Sequence, residues 1–483
     1  PLFGTMEDME ELIAEGKKRG ISIIMDLVVN HCSSHHEWFQ KALADPDGPY
    51  ADYFYFIESD KEPNNWESYF GGSVWEPVPG TNKYYLHSFH KDQPDLNWQN
   101  PVLREEIYTM INWWLDKGIA GFRIDAIINI KKDLEWRSLP SDRDNGLVPV
   151  PESLVNAQSI EPFLQELNER TFAKYNAFTV GEVFNETDEE LHFFIGKDGV
   201  FSSIFDFKQT CLGQEGKGWF DHSLPTADEL KESIFQAHER ADSIGVLSTI
   251  IENHDEPRGV SHYIAEGPVN DTSKKALGTI QVLRKGIPFI YQGQEIGMEN
   301  QVFESIEDFD DIATINGYHV AKEAGLSEEE ALAVIANYSR DNARTPMQWT
   351  REPGLGFSDG PAWLISPKPD YSINVEDQEK DPDSILNYYR QLTALYRHPL
   401  YGNTIRFGDM IPAYRDRENI IAFERRGDKR LLVISNFQNR QATLELTAPI
   451  KTVVLNNTAG LFQEGDQVLE LAPYQTVVLE LVE

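Results

Sequence analysis

The sequence predicts an α/β fold in which a barrel of parallel strands and helices carries an inserted loop-rich region and a C-terminal antiparallel β domain. Two observations support this prediction. Short apolar runs that end in a carboxylate recur at residues 121–127, 177–182 and 247–255, and stretches with helical spacing lie between them. Beyond about residue 400 the pattern changes to alternating runs such as 476–481, which are typical of antiparallel strands.

The elements before the insertion begin with a helix over residues 5–20, where Met9, Leu12 and Ile13 form an apolar stripe behind acidic first turns. A strand over residues 21–29 follows directly. The other predicted elements are helices at 102–117, 160–171, 327–338 and 384–397 and strands at 121–127, 177–182, 199–207, 247–252 and 287–291.

The run from Gly121 to Ile127 sets two charges inside a strand that is otherwise apolar. At the strand period of two, Phe122 and Ile124 face one side while Arg123 and Asp125 face the other. Burying an unpaired carboxylate is costly, and Arg123 on the same face supplies the countercharge that Asp125 needs. A structural ion pair and a catalytic carboxylate both fit these residues taken alone.

Glu182 and Asp255 also stand where an apolar run stops and a polar loop begins. The carboxyl ends of successive strands in a parallel barrel converge on one face, and active sites are built there. We therefore expect Asp125, Glu182 and Asp255 to meet although they are far apart in sequence.

The composition narrows the possible partners. Among 483 residues, 79 acidic against 43 basic side chains give a net charge of −36, which opposes binding to nucleic acid or an anionic membrane. No apolar run approaches the roughly 20 residues that a membrane span needs. Cys32 and Cys211 are the only cysteines, so no disulfide framework is expected and the cytoplasm is the predicted compartment.

Several motifs give the chain a family resemblance. In order, they are DLVVNH at 26–31, QPDLN at 93–97, GFRIDA at 121–126, GEVF at 181–184, ENHDEPR at 252–258, YQGQEIGM at 291–298 and RDNARTPMQW at 340–349. Together they resemble the signature regions of the alpha-amylase superfamily (glycoside hydrolase family 13). Within it, the chain is most similar to the oligo-1,6-glucosidase, dextran glucosidase and alpha-glucosidase branch.

The resemblance implies a (β/α)8 TIM barrel with a domain B insertion and a C-terminal antiparallel β-sandwich domain. Far more chain separates Asp26 from Asp125 than a crossover between neighbouring strands needs, which agrees with an insertion. The implied domains are a catalytic barrel at 1–30 and 102–399, which includes a subdomain over its mouth at 298–350, domain B at 31–101 and the β domain at 400–483.

In the resembled family the strand at 21–29 is the third of the barrel. We therefore expect the first two strands and the first helix to be missing and the chain to be N-terminally truncated. The family's calcium loop and a glucose-binding Asp lie in that portion, so we assign no metal ligand and expect no cofactor. An inactive fragment with an open barrel is one alternative, because two exposed sheet edges favour misfolding.

By resemblance, Asp125 is the nucleophile, Glu182 the general acid and base, and Asp255 the carboxylate that stabilises the transition state. Cleavage of a glycosidic bond needs two carboxyl groups in different protonation states. Arg123 is expected to keep Asp125 ionised, and Glu182, facing two negative neighbours, to have a raised pKa and carry a proton.

The resemblance also implies substrate-binding residues. His31 and His254 match histidines that hydrogen-bond the terminal glucose, and Arg344 matches the arginine that grips it. Arg258 fits either a site-lining role or a simple salt bridge. Phe70 and Phe89 match aromatics that pack on sugar C–H faces, although they also suit the core of the inserted domain. Asp26 and Asn30 are expected to be scaffold.

Ala126, directly after the nucleophile, bears on linkage preference. Enzymes of the branch that prefer α-1,6 links usually have Val there, whereas those that accept α-1,4 links have Ala or Thr, so both linkages stay open. A methyl-scale change moves discrimination by only about 1–3 kcal/mol.

The predicted function is that of a monomeric, retaining, exo-acting alpha-glucosidase that hydrolyses short malto- or isomalto-oligosaccharides. The alternatives are a sucrose isomerase or transglucosylase, a trehalose-6-phosphate hydrolase, and a non-catalytic relative of the superfamily.

Overall fold

The structure is a computed structural model, and it describes residues 3–143, 145–184, 186–213, 222–460 and 462–482. The chain divides into two compact units, and each is described by itself. The first unit comprises Pro1–Phe205 with Ile244–Val246, and the second comprises Asp206–Ser243 with Leu247–Glu483.

The first unit alternates strands and helices around an inserted region. Its helices are α1 (Met6–Lys18), α2 (Glu37–Ala44), α3 (Pro101–Asp116), α4 (Val150–Ser153), α5 (Glu161–Arg170), α6 (Phe172–Tyr175) and α7 (Asp188–Phe194). Its strands are β1 (Ile24–Val28), β2 (Phe56–Glu58), β3 (Trp66–Glu67), β4 (Trp75–Pro77), β5 (Lys83–Leu86), β6 (Gly121–Asp125), β7 (Val148–Pro149), β8 (Phe178–Gly181) and β9 (Ser203–Phe205).

Four of these strands form a parallel sheet in the order β1-β6-β8-β9. Val28 pairs with Asp125, and Ile124 pairs with Gly181, so the carboxyl ends of the strands lie side by side. Gly121 is required where β6 begins, because a Cβ there would lie 1.7 Å from the carbonyl oxygen of Phe178. The register therefore follows from close backbone packing at the amino end of β6.

The region between β1 and α3 is built largely of loops and short strands. Strands β2, β5 and β4 form an antiparallel sheet in that order, and β3 pairs with β7. Their core contains Trp66, Val74, Trp75 and Leu86, all at most 2% exposed. This region is placed where the sequence predicts an insertion.

The second unit contains a short parallel pair, several helices and the C-terminal sheets. Its helices are α8 (Ala227–Ala241), α9 (Gly259–Tyr263), α10 (Asp271–Leu283), α11 (Ile312–Glu323), α12 (Glu328–Tyr338), α13 (Asp341–Arg344), α14 (Val375–Lys380), α15 (Ile385–Leu395) and α16 (Gly402–Phe407). Its strands are β10 (Leu247–Thr249), β11 (Ile287–Pro288), β12 (Asp409–Ala413), β13 (Ile420–Arg426), β14 (Arg430–Asn436), β15 (Ala442–Glu445), β16 (Ile450–Asn456), β17 (Val468–Leu471) and β18 (Thr476–Leu481).

The C-terminal region confirms the predicted antiparallel β domain. Strands β12-β13-β14-β18-β16 form one sheet in that order, and β15 pairs with β17. One buried apolar cluster joins residues of both sheets, among them Ile434, Leu444, Leu469 and Leu479. Two sheets that share a core agree with the predicted sandwich.

The predicted elements exist, but the barrel strands are shorter than the apolar runs suggest. The strand predicted at 121–127 ends at Asp125, and the one predicted at 247–252 ends at Thr249. Ala126 adopts a left-handed conformation, with φ of 44°, and a short 3-10 turn follows it. Apolar residues thus continue past the end of the strand, because the turn after it is also buried.

Candidate active site

Arg123 is the centre of a charged cluster in the first unit. It projects from β6 on the same face as Asp125, as the strand period predicts. Its Nη1 donates to Asp125 Oδ1 at 2.5 Å and to Asp26 Oδ1 at 2.8 Å, and its Nη2 donates to Glu182 Oε1 at 2.5 Å. One guanidinium therefore holds three carboxylates.

The turn after β6 fixes the second oxygen of Glu182. Because Ala126 is left-handed, its backbone N–H is free of the sheet and donates to Glu182 Oε2 at 2.9 Å. Glu182 is 6% exposed, while the Asp125 side chain is 20% exposed. Both carboxylates are held in place, and Asp125 is the more open of the two.

The charge of Arg123 is secure. Burial lowers its pKa, but the negative charges of Glu182, Asp26 and Asp125 outweigh that effect and raise the pKa above its ordinary value. The sequence suggests that Arg123 pairs with Asp125. In the structure Glu182 also pairs with the same guanidinium. Which carboxylate carries the proton stays a prediction.

His31 lies in the same unit, on the loop that follows β1. Its ring nitrogens lie 3.3 Å from Asn30 Nδ2 and 3.1 Å from Gln93 Nε2. Burial lowers the pKa of His31, and the charges of Asp95 and Asp125 only partly oppose that effect. The ring is therefore neutral at pH 7 and can exchange hydrogen bonds with hydroxyl groups.

Aromatic rings cluster beside His31. The centroid of the Phe89 ring lies 5.1 Å from that of His31, 6.0 Å from that of Phe70 and 4.7 Å from that of Tyr69. The Phe89 and Tyr69 rings are stacked. Tyr69 donates a hydrogen bond to Asn129 Oδ1 at 3.0 Å and is 37% exposed. The two predicted aromatics thus belong to one cluster, and Tyr69 is a member that the sequence analysis missed.

A buried ion pair contacts Asn30, the neighbour of His31. Lys132 Nζ is 2.9 Å from Asp95 Oδ2, and both side chains are at most 2% exposed. Asp95 also accepts from the backbone N–H of Ser88 at 2.9 Å, and Lys132 donates to Asn30 Oδ1 at 3.1 Å. Lys132 thereby fixes the side chain of Asn30, for which a scaffold role is expected.

Asp255 is the centre of a second cluster, in the second unit. Its Oδ1 accepts from Arg340 Nη1 at 2.9 Å and from Arg344 Nη2 at 2.8 Å, and its Oδ2 lies 3.0 Å from His254 Nε2. Burial raises the pKa of Asp255, but His254 and Arg340 outweigh this and hold the pKa well below its usual range. Asp255 is therefore anionic.

Arg258 has the contacts of a structural residue. It is 1% exposed, and its Nη1 donates to Glu252 Oε1 at 3.0 Å and to the carbonyl oxygen of Gln292 at 2.8 Å. Its guanidinium also lies over the Tyr291 ring at 5.3 Å. The structure favours the salt-bridge alternative over contact with a sugar.

A model of the alpha amylase catalytic domain matches residues 1–400, and a model of the alpha-amylase SusG C-terminal domain matches residues 420–478. The chain belongs to the alpha-amylase family. Its fold is that family's barrel, followed by a C-terminal antiparallel sheet domain.

This alpha-amylase family chain is similar to characterised relatives over nearly its whole length. It is 38% identical to the glucan 1,6-alpha-glucosidase of Streptococcus pneumoniae, over 100% of this chain and 86% of that relative. It is 39% identical to the oligo-1,6-glucosidase of Halalkalibacterium halodurans, over 99% and 86%. The isomaltulose synthase of Klebsiella sp. LX3 superposes with a TM-score of 0.93 at 33% identity, over 99% of this chain and 86% of that structure.

The structure brings some of the predicted site residues of this alpha-amylase family chain together. In the first unit Arg123 joins Asp125 to Glu182, and in the second unit Asp255 lies between His254 and Arg344. The convergence of all three carboxylates stays a prediction. Arg340 was not predicted from the sequence as a site residue, although it begins the RDNARTPMQW motif. An arginine four residues before another, on the same helical face, was the available signal.

No metal site is evident in the part of the chain that the structure describes, where no three His, Cys, Asp or Glu side chains group as a metal ion would require. The expectation that the protein uses no cofactor stays a prediction. Among the helices of the same residues, none is both long and apolar enough to span a bilayer.

Proposed function

We propose that this protein is a retaining, exo-acting alpha-glucosidase that releases terminal glucose from short malto- or isomalto-oligosaccharides. The observation that carries the proposal is the shared guanidinium of Arg123, which holds the carboxylates of Asp125 and Glu182 within one hydrogen-bonded group. A retaining enzyme needs its two carboxyl groups only about 5–5.5 Å apart. The similarity to a glucan 1,6-alpha-glucosidase and an oligo-1,6-glucosidase supports the substrate class.

In the proposed first step, Asp125 attacks the anomeric carbon while Glu182 donates a proton to the leaving glycosidic oxygen. The bond to the leaving sugar breaks as the bond to Asp125 Oδ forms. In the second step Glu182 takes a proton from water, the water oxygen attacks the anomeric carbon, and Asp125 is released. Asp255 stabilises the oxocarbenium-like state through its negative charge.

The remaining residues are proposed to bind the terminal glucose. His31, Phe70 and Phe89 form one wall in the first unit. In the second unit Arg344 and His254 both contact Asp255 and keep exposed surface, with side chains 22% and 48% exposed. We propose further that the enzyme is cytoplasmic and monomeric. Light scattering in solution would test the oligomeric state.

The proposal is tested with the purified chain on isomaltose, maltose, sucrose and trehalose 6-phosphate. With sucrose, whose other product is fructose, release of α-glucose as the first detectable anomer by proton NMR is expected, and release of β-glucose first would refute retention. Glu182→Gln should lower kcat by about 10²–10⁴-fold, the typical contribution of general acid–base catalysis. Asp125→Asn should abolish turnover. The control Asp47→Asn, which removes a carboxylate that is 88% exposed, should leave the rate unchanged.

A second candidate function is isomerisation of sucrose, which the likeness to the isomaltulose synthase structure favours. The sucrose assay separates the two. An isomerase would yield a rearranged disaccharide in excess of free glucose, whereas the proposed hydrolase yields glucose and fructose in equal amounts.

A further inference from the structure

We propose that Arg340 is a positioning residue that fixes the carboxylate of Asp255 by tethering it to Asp311, at the start of α11. The inference rests on the proposed function, since Arg340 acts through Asp255 in the same reaction. Arg340, Asp255 and Asp311 all lie in the second unit. Arg340 lies just before α13, and Asp311 lies directly before the helix pair α11 and α12.

Arg340 binds two acids with different atoms of one planar group. Its Nη1 donates to Asp255 Oδ1 at 2.9 Å, and its Nε donates to Asp311 Oδ1 at 2.6 Å. The Arg340 side chain is 15% exposed and that of Asp311 only 2%. Because a guanidinium is rigid, fixing Nε on a buried acid also fixes the direction in which Nη1 points.

Asp311 is itself anchored. Its Oδ2 caps α11, accepting from the backbone N–H of Thr314 at 2.9 Å and from Thr314 Oγ1 at 2.7 Å. Its own backbone N–H donates to Asp341 Oδ2 at 3.0 Å, and Ser339 Oγ lies 2.9 Å from Thr314 Oγ1, to which it can donate. The segment around Arg340 is thereby bonded to the beginning of α11 on both sides of the arginine.

Arg344 differs from Arg340 although both contact Asp255 Oδ1. Arg344 Nε donates to the backbone carbonyl oxygen of His254 at 2.8 Å, and its side chain is 22% exposed. Its Nε is thus held by a backbone carbonyl, whereas that of Arg340 is held by a buried acid. We assign Arg344 to the sugar and Arg340 to the support of Asp255. Without Arg340, Asp255 Oδ1 would lose one of its two guanidinium partners, and the carboxylate would be less firmly fixed.

The experiment compares Arg340→Gln, Asp311→Asn and the double variant on the best substrate of the wild type. Arg340→Gln should lower kcat by about 10- to 100-fold and change KM less, because misplacing a catalytic group by about 1 Å costs up to 10²-fold. Asp311→Asn should lower kcat by a smaller factor than Arg340→Gln does. The double variant should be no slower than Arg340→Gln, because Asp311 acts through Arg340.

The matched control is Arg415→Gln. Arg415 also bridges two acids, Glu232 and Glu239, and is 41% exposed. The Arg415→Gln variant should retain the wild-type kcat. A kcat of Arg340→Gln within twofold of the wild type, or losses that multiply in the double variant, would overturn the inference.

A second measurement separates this inference from the proposed function. If the wild type hydrolyses no α-glucoside, the proposed function fails, and the positioning of Asp255 is then judged by carbon-13 NMR titration of its carboxyl group. His254, Arg344 and Glu256 remain beside it in both proteins. The Asp255 carboxyl should titrate at a higher pH in Arg340→Gln than in the wild type, and identical titrations would refute the role of Arg340.

Discussion

At the scale of single residues, each carboxylate cluster depends on a cation that several acids share. Arg123 contacts Asp26, Asp125 and Glu182, and Arg340 contacts Asp255 and Asp311. Removing Arg123 would leave two partly buried carboxylates, Asp125 and Glu182, without their shared countercharge, which is more costly than losing one exposed ion pair.

Ala126 provides a test of linkage preference. Ala126→Val should raise the ratio of isomaltose to maltose hydrolysis. It should also lower the free energy of unfolding by about 1–3 kcal/mol, because Ala126 is 5% exposed and an added branched side chain overpacks a buried, left-handed position. Initial rates and urea unfolding measure the two effects. Ala126→Gly, which suits the positive φ, serves as the control and should not raise the ratio. An unchanged ratio in the Val variant would remove this residue as the selector.

We expect Glu256 to make the free energy of unfolding depend on pH. Burial and then the negative charge of Asp255 raise the pKa of Glu256 to about 8, although a hydrogen bond with Thr210 opposes them. A carboxyl group whose pKa is raised on folding contributes stability below its unfolded pKa, and that contribution is lost as pH rises toward 8. Glu256→Gln should therefore gain stability relative to the wild type between pH 5 and pH 8. Urea unfolding at both pH values tests this, and an equal difference at the two would contradict it.

At the scale of elements, the local signals that begin the helices hold well. Thr5, Thr226 and Ser327 each form a capping box at a helix start, and Ser384 caps α15. The helices predicted near Thr5, Ser327 and Ser384 agree with the structure to within a few positions, whereas no helix was predicted after Thr226. Strand ends are less well predicted, since the buried turn after β6 carries the same apolar residues as the strand itself.

Helix α10 shows where packing outweighs helix propensity. Every residue from Ser273 to Leu283 is buried, and α10 packs against α15. Propensity alone favours Gly278→Ala by about 1 kcal/mol. A Cβ at Gly278 would, however, lie 2.6 Å from Tyr389 Oη and 2.8 Å from its Cζ. We expect Gly278→Ala to lower the free energy of unfolding by about 1–3 kcal/mol. A rise in Tm by calorimetry would show that Tyr389 moves aside freely.

At the scale of the whole molecule, the net charge of −36 is the dominant feature. Like charges repel one another in the compact state, and salt screens that repulsion as the Debye length falls from about 30 Å at 0.01 M to about 8 Å at 0.15 M. Tm should therefore rise over this range of sodium chloride. Glycine betaine at equal osmolality adds no ionic strength and corrects for osmotic effects. A lower Tm in salt would mean that the surface ion pairs outweigh the general repulsion.

Much of the candidate site was predictable because motifs carry their chemistry in adjacent residues. Arg123 and Asp125 are two positions apart on one strand, so their contact follows from the strand period. Arg258 shows the limit. Its motif position fitted a site-lining role and a salt bridge equally, whereas burial against Glu252 and Tyr291 gives it structural contacts. Burial is a property of the whole packed unit, and no local pattern reports it.

The sequence by itself indicated the family and the candidate carboxylates through the resemblance of its motifs, and it predicted many of the helices and strands because periodicity is a local property. Only the tertiary structure decided which cation each acid shares. Arg123 reaches Asp26 and Glu182 across neighbouring strands, and Arg340 reaches Asp255 and Asp311 from distant parts of the chain. The physical reason is that such partners are set by strand register, by side-chain direction and by which groups the packing excludes from water.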